Sequence, residues 1–210
     1  MTAPATMISA RRGSKRRRAE IIVAGAVILE AAMRHLRLEA VVAVDTGLRN
    51  GVLRDLARRT PAAAEAVAAQ RTRSAAAVGR RFGFDEPHAR QVARLSLQLF
   101  DQLAGLHGLP ASARSLLEAA ALLHDVGHAV SPQRHHKHTF YLVQNADIAG
   151  FSDQERLRVA QVARYHRRTP PDRGRPDLEA LGPGELRQLR RLVALLRVAD
   201  ALDQIGRAHV

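Results

Sequence analysis

From residue 62 to residue 204 every apolar stretch recurs with helical spacing, and none alternates as a strand. Such a segment can bury its apolar stripes only by packing helix on helix. An alanine-rich helix is expected from Ala62 to about Arg81. A second should run from Pro87 to Leu106, burying Val92, Leu95, Leu97, Leu99 and Phe100, with Pro87 early where its missing N–H costs little. The run from Ser112 through LLEAAALLHDVGHAV reads as a strongly apolar helix ending near Gly127. HHKHTFYLVQNA makes another, and FSDQERLRVAQVARYHRR another, with Ser152 and Glu155 spaced as a capping box. A Pro/Gly-rich loop spans Thr169 to Gly184, and ELRQLRRLVALLRVADALD closes the bundle. Hydrophobic residues are 46% of the 210 positions and aromatics only 3%, so the core must be built from Leu, Val and Ala.

The first 60 residues read differently. Residues 1–15 form a basic end expected to be disordered. A helix follows from about Ala19 to Leu36, with Ile22, Val23, Ala26, Ile28, Leu29 and Met33 suited to burial. LEAVVAVD then reads as a short strand, Asp45-Thr46-Gly47 as a turn, and Leu48 to about Arg59 as a helix. One strand cannot satisfy its own backbone hydrogen bonds. The helix–strand–helix unit of residues 16–60 is therefore expected to be a piece of a larger domain.

There is no cysteine, which rules out disulfides and thiolate metal sites; any metal must be held by His and carboxylate. No apolar run is long enough to span a bilayer and no signal-peptide pattern opens the chain, so a cytoplasmic location without membrane contact is expected. The formal net charge of +13 favours polyanionic partners. Arg11, Arg12, Lys15, Arg16, Arg17 and Arg18 form the one dense basic run. Aromatic RNA-binding motifs and zinc-finger spacings are absent, which disfavours dedicated nucleic-acid binding.

Eight of the ten histidines lie between positions 88 and 166. His124-Asp125 ends an apolar helix, where an imidazole and a carboxylate are costly without a partner. Asp200 sits inside the apolar stretch LLRVADAL, and His88 lies one helix before His124. Each alone also fits a helix cap or a hydrogen-bonded core residue. The order His, His-Asp, Asp over successive helices points to a divalent metal such as Mn, Mg, Fe, Zn or Ni.

That order, His88, then His124-Asp125, then Asp200, resembles the HD superfamily of metal-dependent phosphohydrolases. The segment LLHDVGHAVSPQRHHKHTFYLVQNADIAGFSDQERLRVAQVARYHRR resembles, more closely, the HD-like domain of the exopolyphosphatase/guanosine pentaphosphate phosphohydrolase (Ppx/GppA) family. RRAEIIVAGAVILEAAMRHLRLEAVVAVDTGLRNGVLRDL is similar to the end of that family's catalytic domain. The resemblance implies a mainly α fold: an HD-domain helical bundle over 62–204, truncated, preceded at 16–60 by the remnant of an actin-like ATPase (ribonuclease H-like) domain. It implies that the family's phosphate-cradling glycine loops and catalytic glutamate lie upstream of this chain. IGRAHV does not resemble family sequence, and residues 205–210 are expected to be a non-native tail.

The resemblance also implies roles. His88, His124, Asp125 and Asp200 would hold one metal, with Asp203 next in line should Asp200 point away. His124 and Asp125 would be the catalytic pair. His138 and His166 are the candidates for a second ion, with His135 and His136 as alternatives, and His128 would orient the ligands. Lys137, Arg164, Arg167 and Arg168 would neutralise phosphate charge. Two functions follow. One is a phosphohydrolase acting on polyphosphate, guanosine penta- or tetraphosphate, or another phosphate-rich small molecule. The other is a non-catalytic module that binds polyanions and forms homodimers for an upstream catalytic domain.

Overall fold

The computed structural model describes residues 16–41, 51–52, 55 and 60–208. It divides into two units, Met1–Val44 and Asp45–Val210. Among the described residues there is no strand, and the fold is mainly α. The described residues of the first unit hold one helix, α1 (Arg16–Leu36). Its helical spacing is as expected, but its burial is not: Ile22, Val23, Ile28 and Leu29 are all exposed. Leu38 to Val41 are not in a strand. The rest of the expected strand, the Asp45-Thr46-Gly47 turn and most of the helix expected at 48–59 lie outside the described residues, as does the basic end at 1–15.

The second unit holds α2 (Pro61–Arg81), α3 (Glu86–Gln102), α4 (Ala104–His107), α5 (Ala113–Leu123), α6 (His135–Asn145), α7 (Asp153–Arg164) and α8 (Pro183–Ala208). Caps written in the sequence set three of the starts. Thr60 accepts from the Ala63 N–H ahead of Pro61, and Asp85 accepts from the His88 N–H ahead of Pro87. The capping box of Ser152 and Glu155 is complete in both directions. α8 continues through residues 205–208.

α5 is the central helix, in contact with α2, α3, α7 and α8. Its apolar run from Ala119 to Leu123 is buried throughout. Leu117, Leu122 and Leu123 are almost completely enclosed, which is worth about 1.5–3 kcal/mol for each side chain. With aromatics scarce, close approach is achieved by alanine: Ala75, Ala119, Ala120, Ala121, Ala160 and Ala163 are all in the core.

Three expected helices end early, one of them α7, which stops at Arg164 rather than running through Arg168. The one expected over 87–106 breaks at Leu103, and α4 then ends at Gly108 in the left-handed region (φ 55°). The buried His107 ring makes the break tolerable: its Nε2–H donates to the Phe100 carbonyl at 2.7 Å, and its Nδ1 accepts from the Leu109 N–H at 2.9 Å. α5 stops at Leu123 rather than near Gly127, and a 3-10 turn follows over Val126–Ala129. There the His124 Nδ1–H donates to the Ala121 carbonyl at 2.7 Å. Thr139 then ties the turn to α6: its hydroxyl donates to the His124 carbonyl at 2.9 Å and accepts from the Gly127 N–H at 3.0 Å.

Candidate metal centre

Helix ends, and one position inside α8, deliver the donor groups to one place. His88 lies in the first turn of α3, His124 caps α5, and Asp125 follows it. His135 opens α6, His166 lies just past α7, and Asp200 is on α8. His88, His124, His135 and His166 are buried; Asp125 is partly open.

Two groups of donor atoms could each hold a metal ion: His88, His124 and Asp125, and Asp125, His135 and His166. In the first, the Nε2 atoms of His88 and His124 are 3.2 Å apart and lie 3.8 and 3.6 Å from Asp125 Oδ2. Asp200 Oδ1 approaches them to 3.6 and 3.9 Å, held by the Gln204 side-chain amide at 3.0 Å. In the second, the Nε2 atoms of His135 and His166 are 3.3 Å apart and 3.2 and 3.4 Å from Asp125 Oδ1. His128 Nε2 is 3.7 Å from that oxygen, and its ring stacks on His135 at 3.9 Å between centroids. Ligands roughly 2.1 Å from one ion stand roughly 3.0–3.4 Å from their neighbours. The centre is close to that spacing, and the two oxygens of Asp125 face opposite groups.

Every ring is fixed from behind. The Nδ1–H groups of His124, His166 and His135 donate to the carbonyls of Ala121, Ala163 and Pro132 at 2.7, 2.6 and 3.2 Å. His88 Nδ1–H donates to Asp203 Oδ2 at 2.7 Å. Carbonyl and carboxylate oxygens only accept, so the Nδ1 atoms carry the protons. In the neutral rings all four Nε2 atoms therefore turn lone pairs toward one another and toward the Asp125 carboxylate.

The electrostatics agree. Burial alone would raise the Asp125 carboxyl; the imidazoles of His124, His166, His135 and His128 outweigh it and hold the carboxyl below its ordinary range. Burial pushes His166 and His135 down, favouring neutral rings.

Of the residues singled out in the sequence, His88, His124, Asp125, Asp200, His166 and the alternative His135 come together. His138 does not join the second group; one helical turn separates it from His135, roughly 4.5 Å along the axis. The buried Thr139, anchored on the His124 carbonyl, sets which α6 ring enters the centre. Asp203 is not beside the donor cluster but behind His88. His136 faces a different pocket of about 170 Å³, lined also by Lys137, Arg164, Arg167, Arg168 and Arg175. All four cations expected to meet phosphate thus line one pocket. Arg164 is set in place by the Phe140 ring, 5.0 Å away, and by Asp177, 3.5 Å away. The other cations crowd His136: burial first, then His135, Arg168, Arg164 and Lys137, bring its ring down to about 4. Arg175 was not expected here; it lies in the long Pro/Gly loop, where spacing carries no signal.

A helical domain that sets His and Asp donors beside a basic pocket has the make-up of a phosphate-handling protein. Residues 70–209 match the family described as Ppx/GppA phosphatase, domain III, and residues 9–60 match the Ppx/GppA phosphatase family. The chain belongs to the Ppx/GppA phosphatase family. It is 30% identical over 188 residues to a guanosine-5'-triphosphate,3'-diphosphate pyrophosphatase of Pseudoalteromonas translucida (strain TAC 125), covering 87% of this chain and 35% of that protein. It is 26% identical over 179 residues to the protein of that name from Vibrio vulnificus (strain YJ016), covering 85% and 35%. The chain spans about a third of the length of these curated relatives. No helix among the described residues is long and apolar enough to cross a membrane.

Proposed function

We propose that this chain carries an HD-type, metal-dependent phosphohydrolase site that cleaves phosphoanhydride or phosphoester bonds in a phosphate-rich small molecule or polyphosphate. One observation carries the reading: four imidazole Nε2 atoms and both oxygens of Asp125 converge at 3.2–3.8 Å, with every ring held by a hydrogen bond at Nδ1. His88, His124, Asp125 and Asp200 would hold one divalent cation, and Asp125, His135 and His166 a second, with Asp125 shared. Bound there, such cations would supply Lewis acidity toward a phosphoryl oxygen and make nearby water more acidic.

The chain's own groups do the remaining work. The Nδ1 anchors keep the Nε2 donors aimed before substrate arrives. Lys137 follows His135 by two residues, and Arg164, Arg167 and Arg168 flank His166, so the basic pocket adjoins the second donor group. A substrate with one phosphoryl group at Asp125 can lay its remaining phosphates in that pocket, where guanidinium groups pair with them. The relatives' name, a guanosine-5'-triphosphate,3'-diphosphate pyrophosphatase, fits such a substrate.

The same basic pocket favours a second reading, a module that holds polyanions and dimerises without turning them over. Metal analysis of the purified chain, followed by phosphate release from guanosine tetraphosphate, nucleotides and polyphosphate with added Mn²⁺, separates the two. Uptake of metal together with phosphate release is expected. A chain that binds polyphosphate or dimerises, yet takes up no metal and releases no phosphate, is the module.

A further inference from the structure

We infer that Asp203 is a positioning residue for the metal centre, acting through His88; the inference rests on reading the cluster as a metal site. Three of the four imidazoles are aimed by main-chain carbonyls, those of Ala121, Ala163 and Pro132. His88 alone is aimed by a side chain, the Asp203 carboxylate at 2.7 Å. Asp203 is buried, and it follows Asp200 by three residues on α8, so the two carboxylates share a helix face. They address opposite edges of one ring: Asp200 Oδ1 stands 3.6 Å from His88 Nε2, on the donor side, and Asp203 holds Nδ1 from behind.

Two properties of His88 follow. Asp203 fixes the tautomer, because a carboxylate accepts only from a protonated Nδ1, which leaves the Nε2 lone pair for the cation. It also fixes the ring plane, which in the first turn of α3 has no main-chain acceptor holding it. An imidazole freed of this contact can rotate or take the other tautomer, and a proton on Nε2 would face His124 Nε2 at 3.2 Å, where the cation belongs. Asp203 therefore sets the metal affinity of the first group without touching the ion.

The test is Mn²⁺ binding to the full chain by calorimetry, for wild type, Asp203→Ala, Asp203→Asn and Asp203→Glu, with ¹⁵N NMR of the His88 ring in the metal-free proteins. Loss of such an orienting partner weakens metal binding about 10–100-fold. Asp203→Ala should show that loss and a mixed tautomer at His88, with helical content kept. Asp203→Asn, close in shape, keeps the result readable should the alanine variant fold poorly; it should weaken binding too. Asp203→Glu should recover part of the affinity. Wild-type affinity in both Asp203→Ala and Asp203→Asn, with His88 still protonated on Nδ1, overturns the assignment of Asp203 alone. A wild-type chain that takes up no Mn²⁺ sinks the metal centre, and the assignment with it.

Discussion

Among the described glycines, Gly127 has the least room for a side chain. A Cβ placed on it would meet the His135 carbonyl oxygen at 2.1 Å, the Thr139 nitrogen at 2.5 Å and the Thr139 hydroxyl at 2.7 Å. Two of these atoms are main chain and cannot swing aside. Gly127→Ala must therefore drive α6 back by on the order of 1 Å to regain ordinary contact. That retreat breaks the hydrogen bonds that join Thr139 to Gly127 and to His124, now 3.0 and 2.9 Å long. Overpacking costs about 1–3 kcal/mol and each buried hydrogen bond about 1 kcal/mol, so the total is about 3–5 kcal/mol. A domain of this size would lose roughly 10 °C in Tm. Urea unfolding followed by far-UV circular dichroism measures it, with Gly105→Ala as control. Gly105 has nothing within 4 Å of its Cβ position and lies in α4, so alanine there should be neutral or stabilise by up to about 1 kcal/mol. A Gly127→Ala chain within about 0.5 kcal/mol of wild type would refute the claim that this close approach locks α6 to the His124 turn.

Thr139→Val should cost about 2–3 kcal/mol in the same assay, since it strands the Gly127 N–H and the His124 carbonyl in a buried site, while Thr139→Ser should cost about 1 kcal/mol or less. Equal stability of the valine and serine variants would show that the hydroxyl is not the anchor. Asp125→Ala should abolish metal uptake and phosphate release together while leaving the helical content in place; metal stoichiometry and a phosphate assay read the two losses, and full activity in the variant would remove Asp125 from the centre. Glu86 is held at about 2, against 4.5 ordinarily, chiefly by its hydrogen bond from Arg80 and then by that from Arg90. A depressed carboxyl contributes stability above its unfolded pKa and loses it as pH falls through the folded one. The gap in Tm between wild type and Glu86→Gln should therefore be present at neutral pH, close between about 4.5 and 2, and shrink with added salt because the pair is exposed. A gap unchanged down to pH 2 would contradict it.

The helices were legible wherever local chemistry decides. Apolar spacing and the Ser152–Glu155 box placed the start of α7, and Pro87 placed the start of α3 to within a residue. Legibility failed where the answer depends on docking. The run HHKH puts three imidazoles within one turn, and only the seating of Thr139 on the His124 carbonyl decides that His135, not His138, meets Asp125. Asp200 and Asp203 likewise share a face of α8, and which touches which edge of His88 depends on how α8 crosses α3. The apolar residues of α1 follow the helical pattern yet stay exposed, because periodicity says which face wants a partner and not whether one is present.

The carbonyl anchors behind His124, His135 and His166 bear on how such a centre can decay over generations. A backbone oxygen survives any substitution of its own side chain that leaves the local backbone in place, so Ala121, Ala163 and Pro132 offer almost no mutational target. Those three rings can lose their aim only by mutation of the ligand itself or collapse of the local fold. His88 is different, since its anchor is a side chain that one codon change at position 203 removes. Erosion of the centre by drift should begin at that position, leaving chains that fold normally and still carry His88, His124 and Asp125.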